Sequence, residues 1–393
     1  MTIQRTFTAK DQIAFAELSG DYNPAHLDDS AARRSLFGRT IVHGIHLVLW
    51  ALDAAMDRRV ANLKSIAVQF RNSLGVGDLA SIVNGAETET SRSISIVSAG
   101  VTIATIRAKF SAEAAAFGAG VVATLSPPRE QSLALSAQDI EGVSGAVELS
   151  FDGVALDRFF PTLSSKLPSG TIAVLLATTR IVGVYCPGLH SIFSELECTF
   201  DSPRSSELKY AVKSFDPRFG RAVIGIGGAA EGQIVAFLRP PPTVQPTYFE
   251  ISQHNRQKDF AERRGLVIGG SRGIGEVLTK VLAARGADVR FTYHRGQSDA
   301  ETIAAEIGKG NGRAVAYRLD VADPGNSFAE IFAGDWAPTH LYYMATPAIF
   351  VSKRRKFSAD IYDQFCRYYV SGFSAAISAC PARPLTGGCP AIC

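Results

Sequence analysis

Asp21, Asn23 and His26 fall within one short run, Ser19-Gly20-Asp21-Tyr22-Asn23-Pro24-Ala25-His26. A carboxylate and an imidazole, with ordinary pKa values of ~3.9 and ~6.5, can flank one water so that one accepts a proton while the other holds one. That pairing suits general acid–base proton transfer through a bound water. Pro24 fixes its own φ and disfavours helix at Asn23, so a rigid extended loop is expected to present both side chains. The Asn23 amide is suited to orient either partner or the water. Residue types alone leave open which of Asp21 and His26 is the base.

A second chemical pattern lies in LVIGGSRGIGEVL, where Gly269, Gly273 and Gly275 surround Ser271, Arg272 and Ile274. Set between a strand at 266–268 and an amphipathic helix at 275–285, these glycines would let the backbone approach a pyrophosphate at the helix N-terminus. A further strand ends at Tyr293-His294-Arg295. It offers no acidic acceptor for a ribose 2′-hydroxyl, which together with Arg272 and Arg295 favours NADPH over NADH.

These groups need elements to hold them. Residues 41–56 (IVHGIHLVLWALDAAM) are apolar almost all round, which predicts a buried central helix. Strand patterns follow at 65–70, 79–87, 93–98 and 101–110, with Gly75, Gly77 and Gly100 as turn residues. One buried helix cradled by a curved antiparallel sheet is the hot dog arrangement. Its helix would start near Gly44, where unpaired N–H groups and the dipole suit a developing oxyanion. His43 is expected to set the start of that helix and His46 to line core or pocket. Asp28 and Asp29 are expected to cap the helical run SAARRSLF.

The pattern returns later. Residues 170–238 contain an apolar helix candidate, the run LHSIFSELECTF, and two strand-like runs ending in GQIVAFL. Leu63 in LKSIAVQF aligns with Leu189 in LHSIFSEL, an offset of 126 (189 − 63). This predicts a degenerate second hot dog. The expected fold is therefore α+β hot dog domains, two in number, followed by a partial α/β Rossmann domain. The expected boundaries are 1–112, a linker at 113–143 around Pro127 and Pro128, 144–239, a linker at 240–262 opened by Pro240, Pro241 and Pro242, and 263–393.

The balance of 40 Lys plus Arg against 37 Asp plus Glu gives a net charge of +3, leaving no general attraction for nucleic acid or an anionic membrane. No stretch of ~18 apolar residues and no leader-like start appears, so a cytoplasmic protein is expected. Six cysteines without C-x-x-C spacing argue for free thiols and against a metal site.

The register of Ser19-Gly20-Asp21, Asn23-Pro24, His26, Phe37-Gly38 and Ile41-Val42-His43-Gly44 resembles the MaoC-like (R)-specific enoyl-CoA hydratases over roughly residues 8–112. The resemblance implies that Asp21 and His26 activate water for addition to an enoyl thioester on CoA or an acyl carrier. It also implies Gly44 N–H as oxyanion donor, no cofactor for hydration, and lyase activity. One departure is Leu52, where some members carry a hydroxyl residue in the central helix. LVIGGSRGIGEVLTKVLAARGADVRFTYHRG resembles the opening of short-chain dehydrogenases/reductases, with Ile268 in place of the usual Thr. Asp320-Val321 matches that family's adenine-contacting pair, and the resemblance implies NADP binding. No tyrosine among the 11 has Lys four residues on, and 344–347 lacks the family's asparagines. A truncated domain is expected from this, and reductase activity is argued against. A homodimer or an internal hot dog pseudo-dimer is the expected assembly. The rival readings are an acyl-thioester or nucleotide-binding scaffold without catalysis, and a bifunctional hydratase and reductase.

Overall fold

The computed structural model describes residues 3–55, 62–111, 126–200, 205–334, 336–347, 359–381 and 391–392. It divides into two compact units, Met1–Pro242 and Thr243–Cys393.

The first unit opens with β1 (Ile3–Thr6) and α1 (Ala9–Ser19), whose start is fixed by a reciprocal Thr8–Asp11 capping box. Three helices follow: α2 (Pro24–Leu27), α3 (Asp29–Arg34) and α4 (Gly44–Ala55). Every residue from 45 to 52 of α4 is buried, as its all-round apolarity requires. The predicted first turn at 41–43 is not helical. Ile41 bridges Gly75, and the Val42 N–H donates to the Leu74 carbonyl. Strands β2 (Asn62–Phe70), β3 (Leu79–Glu87), β4 (Ser91–Ser98) and β5 (Val101–Ser111) complete the antiparallel order β1-β3-β4-β5-β2 around that helix, the hot dog arrangement.

Residues 144–238 supply β6 (Ser144–Glu148), α5 (Gly153–Phe159), α6 (Pro161–Lys166) and α7 (Ser169–Arg180), which runs on into a π-helical turn, Ile181–Tyr185. Then come β7 (Ser191–Thr199), β8 (Glu207–Asp216), β9 (Arg221–Gly228) and β10 (Glu231–Leu238). Three strands follow β7 rather than the two expected. Their order, β6-β8-β9-β10-β7, is the first half's order with every label raised by five. The halves join where β2 and β7 pair antiparallel, giving one ten-stranded sheet. Gln69 faces Glu195 across that seam, and 195 − 69 returns the offset of 126. The same offset carries Gly44, the first residue of α4, onto Gly170 in the first turn of α7. The halves differ in what precedes the long helix. From the start of α1 to the start of α4 is 35 residues (44 − 9), but from α5 to α7 only 16 (169 − 153).

Two local expectations are corrected. Pro24 does not hold an extended loop: it occupies the first position of α2, where its missing N–H costs nothing, and Asn23 is the N-cap. Asp28 caps α3 through the Ser30 and Ala31 N–H groups, whereas Asp29 is the first helical residue and pairs with Arg33 at 3.7 Å.

The second unit begins inside the expected linker, with α8 (Tyr248–His254) burying Tyr248 and Ile251 in its core. The elements β11 (Arg264–Ile268), α9 (Gly273–Ala284), β12 (Asp288–Tyr293), α10 (Gln297–Lys309), β13 (Arg313–Arg318), α11 (Ser327–Ile331) and β14 (His340–Tyr343) follow. Then α12 (Ala359–Phe365) and α13 (Phe373–Ala379) flank a π-helical stretch, Cys366–Gly372. Residues 391–392 add β15 (Ala391–Ile392) beside β14. The sheet is parallel throughout, in the order β13-β12-β11-β14-β15, as a Rossmann-like domain requires. Cys186, Cys198, Cys366 and Cys380 are free; Cys389 and Cys393 lie outside the described residues. Among the described residues no helix is long and apolar enough to cross a membrane.

Candidate active site

Asp21 follows Gly20, whose φ of +77° ends α1 in a left-handed cap and turns the chain inward. His26 stands on α2, held by a 2.8 Å hydrogen bond from Nδ1 to the Ile41 carbonyl. A carbonyl only accepts, so Nδ1 carries the proton and a neutral ring keeps Nε2 as an acceptor. One ligand-capable atom from each of Asp21, His26 and His43 lies within 4.8 Å of the others. Burial raises the Asp21 pKa, opposed by the His26 charge and by hydrogen bonds from Thr179 and the Asn23 backbone. Burial also lowers the His26 pKa, opposed by the Asp21 charge and the Ile41 carbonyl.

His43 has a different task. Its Nε2 donates to the Asp21 carbonyl oxygen at 3.0 Å, its Nδ1 lies 2.9 Å from Gln12 Oε1, and its ring stacks on His26 at 3.7 Å. Nε2 thus carries the proton of a neutral ring, and Nδ1 lies against the Gln12 amide, so both nitrogens are turned to protein groups that position the ring beside Asp21 and His26. Burial, then the neighbouring His26, holds its pKa well below the ordinary value. His46 is core rather than pocket lining: it stacks on Phe15 at 4.5 Å, and neither ring nitrogen has a partner among the described residues.

The second half completes the site, and sequence reasoning missed this. Thr179 Oγ1, near the end of α7, donates to Asp21 Oδ2 at 2.6 Å, across 158 residues of chain. The π-helical turn then brings Gly183 against the same carboxylate, where a Cβ would lie 2.3 Å from Asp21 Oδ1. Only glycine leaves room there. Asn23 is not free to orient a water. Its Oδ1 caps α2 at the Ala25 N–H, and its Nδ2 donates to the Gly183 and Leu189 carbonyls at 3.0 and 3.2 Å. Its backbone N–H donates to Asp21 Oδ1 at 3.2 Å. The one sequence signal for Thr179 and Gly183 was the repeat, which placed an apolar helix in the second half.

Asp21 and His26 open on a cavity of about 260 Å³. Gly44 at the start of α4 lines it, with a Cβ position 2.9 Å from the Phe70 ring, and Phe37, Leu47, Val182 and Phe193 make its apolar wall. No described residue accepts the Gly44 N–H, as for the first turn of any helix.

In the second unit Gly269 (φ +83°) and Gly273 (φ +57°) shape the turn after β11. A Cβ on Gly275 would lie 2.1 Å from the Gly269 carbonyl oxygen, so turn and helix approach as only glycine permits. Ser271 and Arg272 lead into α9, and Ile274 is 79% exposed at its first turn. Arg295 is exposed just past β12. Asp320 lies 3.4 Å from His294 Nε2, while Val321 is buried in the core with Ile268 and Leu341.

Residues 1–112 match the family described as MaoC like domain, and residues 264–331 match short chain dehydrogenase. A 3-hydroxybutyryl-CoA dehydratase of Methylorubrum extorquens is 30% identical over 83 residues, covering 20% of this chain and 53% of the relative. A short-chain dehydrogenase/reductase homolog, YusS, of Bacillus subtilis is 46% identical over 57 residues, covering 14% and 52%. A solved short chain dehydrogenase of Burkholderia cenocepacia, in complex with NADP, is 32% identical with a TM-score of 0.29, covering 30% and 50%. The chain thus spans about half the length of these relatives. It carries a MaoC-like dehydratase domain at its N-terminus and a short-chain dehydrogenase/reductase domain toward its C-terminus.

Proposed function

We propose that the first unit hydrates an enoyl thioester, on CoA or an acyl carrier, to a 3-hydroxyacyl thioester and catalyses the reverse dehydration. The observation that carries this reading is the convergence of Asp21 and His26 on one cavity that the start of a buried helix also lines. Carboxylate and neutral Nε2 both accept, so together they hold the two protons of one water and aim its lone pair at the β carbon. As the oxygen bonds to that carbon, one of the pair takes a proton. The displaced π electrons move onto the thioester oxygen, where the Gly44 N–H and the helix dipole meet the negative charge. The proton then passes to the α carbon, which restores the pair. Residues 144–239 serve as a degenerate second hot dog that shapes the site and holds none of its own.

The test is hydration of crotonyl-CoA by Asp21→Asn and His26→Ala. Each is expected to lose activity by at least ~10³-fold with an unchanged far-ultraviolet spectrum; full activity in both would sink the proposal.

A second reading, NADP-dependent reduction of a 3-oxoacyl thioester, draws support from the glycine turn and from the family match at 264–331. This reopens the reductase activity that the sequence motifs argued against. The cradle fits a dinucleotide: Gly269, Gly273 and Gly275 would hold the diphosphate, Arg295 a 2′-phosphate and Asp320 the adenine. Bound NADPH would supply hydride. The missing Tyr-x-x-x-Lys pair leaves the carbonyl's proton donor unassigned. Fluorescence titration with NADPH checks binding, and NADPH oxidation with acetoacetyl-CoA checks turnover. Binding without either turnover is the outcome of a scaffold.

A further inference from the structure

Two arginines line the hydratase cavity, Arg71 just past β2 and Arg239 just past β10, and among the described residues the only acidic side chain in that lining is Asp21. Arg239 is the unusual one. Its Nε is buried with no hydrogen-bond acceptor among the described residues, and no described carboxylate pairs with its guanidinium. A buried charged donor without an acceptor is destabilising, so it persists where a ligand completes it or the fold compels it. The fold does not compel it: the backbone N–H of Arg239 already closes the β7–β10 ladder on the His190 carbonyl, and its side chain only rests over Phe237 at 5.2 Å. Arg71 faces the same space. Phe70, its chain neighbour, packs on Phe193 at 5.2 Å, and Phe193 is two residues beyond Ser191, the register partner of Leu238. The aromatic pair, itself in the lining, thus links the strand ends that carry the two arginines.

We infer that Arg239, with Arg71, binds an anionic group of the thioester substrate, the phosphate of a phosphopantetheine arm being the source and a carboxylate on the acyl chain the alternative. The inference rests on the hydratase reading for the thioester, but not for the anion. A guanidinium fork satisfies either oxyanion with two parallel, charge-assisted hydrogen bonds, and the buried Nε gains the acceptor it lacks.

The experiment is calorimetric binding of saturated thioesters, which cannot be hydrated, so it is independent of turnover. The probes are butyryl-CoA, butyryl-pantetheine, which lacks phosphate, and glutaryl-pantetheine, which adds a carboxylate. For the phosphate source, the full chain should bind butyryl-CoA about tenfold or more tightly than butyryl-pantetheine, and Arg239→Met should close that gap. Rising salt should narrow it in the unaltered chain. For the carboxylate source, glutaryl-pantetheine should be the tighter pantetheine ester, with the same loss in Arg239→Met. Arg239→Lys, which keeps charge but not the fork, should fall between. Arg71→Met, at an exposed position, gives a smaller loss without risk to folding, and Arg107→Met, exposed on β5 outside the cavity, is the charge-loss control. Equal affinity for all three probes, or gaps that survive in Arg239→Met and Arg71→Met, would overturn the inference. Loss of crotonyl-CoA hydration with the binding gaps intact would overturn the hydratase reading alone.

Discussion

At the scale of single residues, the ionisation of Asp21 depends on near neighbours, His26 and Asn23, and on one group far away in sequence, Thr179. Burial raises its pKa and Thr179 pulls it back through a 2.6 Å hydrogen bond. Removing that hydroxyl leaves the raising effect less opposed, so in Thr179→Val the acid limb of kcat/KM should move to higher pH. Turnover at neutral pH should fall about 10- to 100-fold, the usual worth of a hydrogen bond to a charged group. Thr179→Ser should restore both. A pH–rate profile checks this, and an unmoved limb would mean that the hydroxyl does not act on Asp21. Gly183→Ala is the steric counterpart. Its Cβ would displace the carboxylate by more than an ångström, and a loss of about a hundredfold in kcat is expected, read in the same assay. Asp21 and His26 were legible in sequence because they lie five residues apart in a distinctive register. Thr179 and Gly183 were not, because no local pattern marks a hydroxyl or a glycine in an apolar helix as the wall of another element's carboxylate.

At the scale of elements, the two long helices are the same device used twice, and their differences are informative. The 126-residue offset carries Asp53 near the end of α4 onto Thr179 near the end of α7. Thr179 reaches Asp21, whereas Asp53 accepts from the Thr162 and Leu163 N–H groups at the start of α6, both at 2.9 Å. Where the first half presents Asp21 and His26, the second half has a capped helix. The same offset carries His46 onto Ile172, and both are fully buried. His46 pays for two unpartnered ring nitrogens, with burial pushing its pKa down to about 3. Its folded pKa is depressed, so the unfolded chain binds the extra proton, and stability held above pH 6.5 is lost as pH falls toward 3. His46→Leu should therefore stabilise the protein by about 1 kcal/mol at pH 7, net of the lost ring stacking, or roughly 2–4 °C in Tm. The gain should grow at pH 5. Melting curves at the two pH values decide it, and a lower Tm at both would show that the ring's packing outweighs its unmet hydrogen bonds. The sequence showed α4 and the central strands clearly, since burial on all sides leaves an unmistakable apolar run. It hid β1 and β6, because short edge strands bury one face at most and their residues alternate only weakly.

At the scale of the whole molecule, the question is which piece is the smallest that can work. The MaoC-like match ends at residue 112, which suggests a self-sufficient first domain. The packing says otherwise. A fragment ending there would expose the edge of β2, with Leu63, Ile66 and Val68 along it, and would lack Thr179, Gly183 and Arg239. An open apolar strand edge invites association with other chains. The expected outcome for residues 1–125 is thus an aggregating, inactive fragment. Residues 1–242 should melt as one cooperative unit and keep the crotonyl-CoA hydration of the full chain, because the ten-stranded sheet and every residue lining the cavity lie within them. Size-exclusion chromatography and the hydration assay on the two fragments separate the cases. Should residues 1–125 prove monomeric and active, the carboxylate's wall in the second half would be dispensable, and the site would have to be rebuilt from the first half alone.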